Sequence, residues 1–89
     1  MKAVITVIGK DRVGIIAAIA TVLAGQNVNI LDISQTIMHE IFTMVMIVDV
    51  SGAESGFDAL STALEEKGRD LGVSVRIQHE DIFNSMHRI

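Results

Sequence analysis

The spacing of apolar residues changes once between Lys2 and Ala24, and that change limits the fold more than any other feature of the chain. Over Lys2 to Ile8, residues Ala3, Ile5 and Val7 fall on one face of an extended strand and Val4, Thr6 and Ile8 on the other. Both faces are mainly apolar, so the strand is predicted to lie inside a sheet. From Asp11 to Ala24 the period is helical, with Ile15, Ala18, Ile19, Val22 and Leu23 forming one continuous stripe. Asp11 is the expected N-cap and Gly25 the expected stop. Between the two periods, Gly9 to Gly14 make a tight polar loop.

Further along, Val28 to Met38 reads as a second strand whose alternation changes phase near Leu31 and Asp32, where a β-bulge would restore it. His39-Glu40 is the expected hairpin turn, although it lacks the Asn-Gly or Asp-Gly signal. Ile41 to Val50 is the third strand, with Phe42, Met44, Met46, Val48 and Val50 on one face and Ile41, Val45 and Ile47 on the other. A single helical layer covers one face only, so part of the second face is expected to be buried against a partner. Ser55-Gly56-Phe57-Asp58 has the form of a capping box with Asp in the Glu position. The helix after it carries Phe57, Leu60, Leu64 and Leu71 inward and stops at Gly72. Val73, Val75 and Ile77 alternate with Ser74, Arg76 and Gln78 as a half-exposed strand, and Ile82, Phe83, Met86 and Ile89 give Glu80 to Ile89 the spacing of a short amphipathic helix.

The order β-α-β-β-α-β predicts an α+β, ferredoxin-like fold. Its four-stranded antiparallel sheet would run 4-1-3-2, with two helices on one face and a short C-terminal helix. The two strands with two apolar faces, the first and third, are the two this topology places in the middle.

With 89 residues, 49% of them hydrophobic and 20% charged, residues 1–89 are expected to form one domain around one modest core. Cysteine is absent, which removes thiol catalysis, thiolate metal sites and a disulfide framework. No apolar run is long enough for a membrane span, and Met1-Lys2 leads directly into a strand, so the expected location is cytoplasmic. The net charge of -4, scattered cations and three Phe with no Tyr or Trp argue against direct binding of nucleic acid.

The chemistry is expected at the first loop. The free N–H groups of a helix start carry the positive end of the helix dipole and suit a carboxylate or another anion. Lys10 and Arg12 add positive charge, and Gly14 lets a ligand or neighbouring strand approach the backbone. An ordinary chain reversal with two surface cations would leave the same residues. Gly9 and Gly14 have the spacing of a P-loop, but Ile15 and Ile16 stand where its Lys and Ser/Thr belong, and there is no G-x-G-x-x-G. His39-Glu40 and His79-Glu80-Asp81 are ligand-type residues, yet the topology sends them to opposite poles; solvated turn histidines are the default reading. No nucleophile–base set or carboxylate pair converges, so the chain reads as a non-enzyme needing no metal and no cofactor.

Gly9-Lys10-Asp11-Arg12-Val13-Gly14-Ile15, followed by Asn27-Val28-Asn29-Ile30, resembles the ACT domain, a small regulatory module that binds amino acids. The likeness covers nearly the whole chain and is nearest to free-standing ACT proteins. It extends to the ACT domains of the glycine cleavage system transcriptional repressor and of formyltetrahydrofolate deformylase. It implies that the D-R-x-G-I loop and the N-x-N-I strand border an effector site between subunits. Relatives often carry proline where Val13 stands; Val13 offers one more N–H.

Within one chain the loop and Asn29 lie at opposite ends of parallel strands, roughly 20 Å apart along the intervening helix. A small ligand reaches both only across a homodimer. Backbone N–H groups from Arg12 to Ile15, including Val13 and Gly14, would then hold a carboxylate, with Lys10, Asp11 and Arg12 around it. Asn29, beside Ile30, and Asp32 would read the amine. Capping of a turn is the alternative role for Asn29, and the bulge itself for Asp32. The alternative function is a ligand-free module that binds an unidentified protein through its apolar sheet face and C-terminal helix.

Overall fold

The computed structural model describes residues 1–81. Six elements follow in the order β1 (Lys2–Lys10), α1 (Ile15–Gly25), β2 (Asn29–Met38), β3 (Ile41–Asp49), α2 (Phe57–Leu71) and β4 (Val73–His79). The strands form one antiparallel sheet in the order β2-β3-β1-β4, the ferredoxin-like arrangement the sequence predicts, read from the other edge. Glu80 and Asp81 are helical. The remainder of the expected C-terminal helix, with Ile82, Phe83, Met86, His87 and Ile89, lies outside the described residues.

The core lies between the sheet and the two helices. Ala3, Ile5 and Val7 of β1 and Phe42, Met44, Met46 and Val48 of β3 meet Ile15, Ile19 and Leu23 of α1 and Leu60 and Leu64 of α2. Burying one such aliphatic side chain is worth about 1.5–3 kcal/mol, so this two-layer contact dominates the stability of the fold. On the opposite face of the sheet Val4 is buried, Val45 and Ile47 are half-buried, and Ile8, Met38 and Ile41 are exposed.

The bulge falls where the alternation slips. Ile30 pairs with Val48 and Asp32 with Ile47, so Leu31 is the extra residue. His39 and Glu40 make the hairpin turn with φ of 49° and 69°, the left-handed pair of a type I′ turn.

Three local expectations need correction. Asp11 does not cap α1; β1 runs on to Lys10, the Asp11 N–H donates to the Glu40 carbonyl at 2.8 Å, and the helix starts at Ile15 behind Gly14. Ser55 does not cap α2, because its hydroxyl is bonded to the Gln26 side chain and Gly56 takes the cap position. Gly25 is the last residue of α1 rather than the reversal, which passes to Asn27 with φ 59°. Asn tolerates that conformation better than most residues, and its side-chain amide donates to the Gly52 carbonyl at 3.1 Å.

Candidate functional site

Residues 11–14 leave the end of β1 and turn into α1. Gly14 has φ 94° and ψ 0°, a left-handed conformation open to glycine at little cost, and no side chain caps the helix. The helical ladder begins with the Ala18 N–H donating to the Gly14 carbonyl at 2.9 Å. The amides of Ile15, Ile16 and Ala17 therefore have no hydrogen-bond partner among the described residues. The first turn itself holds no acidic residue; Asp11 stands in the loop before it.

These amides border a shallow groove of about 260 Å³ between the helix start and β2. Gln35 and Ile37 of β2 and Phe42 of β3 form its far wall, and Asp11, Arg12 and Gly14 its rim. Gln35, Ile37 and Phe42 were not among the residues expected from the sequence. Their signal was the hairpin register: a two-residue turn at His39-Glu40 sets Ile37 opposite Phe42 and Gln35 opposite Met44, on the helix side of the sheet. The helices leave that side of β2 uncovered, and Ile33 and Ile37 are exposed.

The other expected residues are dispersed around this groove. Val13 is 98% exposed at the tip of the loop. Lys10 pairs with Ile41, which puts its side chain on the open face of the sheet, opposite the helices. The Arg12 guanidinium reaches across to the end of α2 and donates to the Leu71 carbonyl at 3.2 Å. Asp32 folds back on the bulge, its Oδ1 accepting from the Ile33 N–H at 2.9 Å. Ile30 is half-buried beside Val48.

Asn29 is exposed at the start of β2 and pairs with Asp49, whereas Lys10 pairs with Ile41 at the other end of β3. The loop and Asn29 are thus separated by the length of that strand, about 26 Å at the usual rise per residue. The histidines are likewise apart: His39 sits in the turn beside the loop, and His79 pairs with Ala3 at the far end of the sheet, stacked on Phe57 with ring centroids 4.1 Å apart. Among the described residues no three metal-ligating side chains cluster, and no helix is long and apolar enough to cross a membrane.

Comparison with known proteins bears on this arrangement directly. The ACT domain family model matches residues 2–78. A UPF0237 protein of Clostridium acetobutylicum is 61% identical over 89 residues, spanning 100% of both chains. Among solved structures, an ACT domain protein from Streptococcus pneumoniae superposes with a TM-score of 0.81 at 43% identity, covering 93% of each chain. A formyltetrahydrofolate deformylase from Pseudomonas putida matches 91% of this chain with 29% of its own, at a TM-score of 0.80 and 10% identity, a likeness of fold alone. The chain belongs to the ACT domain family.

Proposed function

We propose that the protein is a cytoplasmic, non-catalytic regulatory module that works as a homodimer and holds a small amino acid or similar carboxylate between its two subunits. ACT domains are generally small-molecule-binding regulatory modules, which sets the class. The observation that carries the reading is the row of unpartnered amides at Ile15, Ile16 and Ala17, opening on a groove whose far wall is the unpaired edge strand β2.

The carboxylate sits on the first-turn amides, with the loop amides of Arg12 to Gly14 around it. Because Arg12 is bonded to Leu71 and Lys10 lies on the other face of the sheet, these cations act as a background field and the amides do the holding. Asn29 arrives from a second copy. Two β2 edges that pair antiparallel about a twofold axis bring the Asn29 end of one strand to the Met38 end of the other, beside the groove. Ile30 comes with it, and Asn29 and Asp32 then read the ammonium group. The pairing also covers a ten-residue edge that would otherwise stand exposed.

Two measurements on the full chain test this. Sedimentation at working concentration should give a dimer, and calorimetric titration with each common amino acid should give saturable binding for a small subset. A monomer, or no heat from any of them at millimolar concentration, overturns the reading. A second reading, a ligand-free module for another protein, is favoured by the exposed Ile8, Met38 and Ile41 on the open face. Val45→Glu on that face would then abolish partner capture while leaving the fold and any amino acid binding intact.

A further inference from the structure

β2 is one edge of the sheet; β4 is the other, and it is flanked by α2. Successive residues of a strand point to opposite faces, yet Val73, Ser74, Val75 and Arg76 all line one cavity of about 290 Å³, together with Glu65 and Arg69 of α2. A cavity that touches four consecutive strand residues runs along the strand's hydrogen-bonding edge, not over either face. Among the described residues β4 pairs with β1 alone, so alternate residues on its other edge direct N–H and C=O groups outward.

The helix is seated close to the strand. A Cβ on Gly68 would stand 2.7 Å from Val75 Cγ2 and 2.8 Å from the Val73 carbonyl oxygen, so only glycine allows this approach. Glu65 and Arg69, one turn apart, then wall the groove. The Glu65 carboxylate accepts a hydrogen bond from the Ser61 hydroxyl at 3.2 Å. The guanidinium groups of Arg69 and Arg76 have no hydrogen-bond or ion-pair partner among the described residues. In a chain of net charge -4, this strand edge is thus bordered by two arginines and one carboxylate, a local excess of positive charge.

We propose that the α2–β4 groove binds an extended acidic segment of another protein, which adds to β4 as a fifth strand and sets a carboxylate between Arg69 and Arg76. Main-chain hydrogen bonds supply the sequence-tolerant part of the affinity, and the arginines select for negative charge. A second copy of this chain is a poor occupant, because two β4 edges paired about a twofold axis bring like-charged Arg76 side chains together.

The test is amide-resolved NMR titration of the full chain with a capped eight-residue peptide of alternating Thr and Glu. Shifts should concentrate at 73–76 and 65–69. The double variant Arg69→Glu, Arg76→Glu should bind at least tenfold more weakly while keeping the circular dichroism spectrum of the folded parent, since both side chains are exposed. The same peptide N-methylated at every residue, which has no N–H to donate on either edge, should not bind. The proposal is overturned by no binding at millimolar peptide, by equal binding of a capped eight-residue control peptide of alternating Thr and Lys, by shifts centred on 29–38, or by undiminished binding in the double variant.

Discussion

The Arg12 guanidinium donates a hydrogen bond to the Leu71 carbonyl at 3.2 Å, tying the loop that precedes α1 to the last turn of α2. A cation at a helix C-terminus is favourable because the final carbonyls lack partners and carry the negative end of the dipole, an effect of about 0.3–1 kcal/mol. The contact spans 59 residues of sequence and ties down the loop at the groove's rim. Arg12→Ala should therefore lower the melting temperature by a few degrees, roughly 2–6 °C for a domain of this size. Arg12→Lys should restore only part of the loss, since one ammonium replaces a planar fork. Circular dichroism melts of the two variants check both statements.

Gly14 stands at φ 94° with nothing within 4 Å of an added Cβ. A substitution there meets no steric wall, and its cost is conformational alone, about 1–2 kcal/mol for an L residue held in the left-handed region. Gly14→Ala should lower the unfolding free energy by that amount, read as a lower urea midpoint with an unchanged slope. Gly14→Asn should cost less, because Asn enters this region more readily. The opposite order would show that the loop relaxes to another conformation rather than enduring the strain.

Asp49 supplies the pH dependence. Its carboxyl is held down to about 2 from an ordinary 3.8, first by the Ser51 side chain and next by the Ser51 N–H, with the Met1 ammonium adding a smaller contribution at 3.4 Å. The folded-state value lies below the unfolded one, so the associated stability is fully present above pH 3.8 and fades as pH falls toward 2. Asp49→Asn should be less stable than the parent at pH 6, and the gap should close over that acid window. Urea midpoints at pH 6, 4, 3 and 2 measure it.

Much of this architecture was legible because it depends on periodicity. The two-sided apolarity of Lys2 to Ile8 and Ile41 to Val50 marked the central strands, and the phase slip at Leu31 marked the bulge. Helix starts were the weak point. Asp11 and Ser55 are good cap residues by type, but the Asp11 N–H is paired with the Glu40 carbonyl at the end of the β1–β3 ladder, four residues before α1 starts, and the Ser55 hydroxyl is bonded to Gln26. Tertiary contacts therefore hand both cap positions to glycines, which no local pattern reveals. The candidate site was half visible: the loop could be found from its own residues, whereas Gln35, Ile37 and Phe42 reach it only through the hairpin register.

The hairpin turn gives the remaining prediction. His39 and Glu40 both adopt positive φ, 49° and 69°, in a turn type that favours Asn-Gly; histidine enters that region more readily than most residues, and Glu40 bears the larger conformational cost. The Glu40 carbonyl nevertheless accepts the Asp11 N–H at 2.8 Å, so this strained turn also positions the loop at the groove. Glu40→Gly keeps the carbonyl and relieves the conformational cost, offset in part by the greater freedom of glycine in the unfolded chain. A net gain of about 0.5–1 kcal/mol should follow, raising the melting temperature by a few degrees, and adding His39→Asn should raise it further. Loss of stability in the double variant would mean that the side chains of His39 and Glu40 hold the turn in ways the backbone does not require.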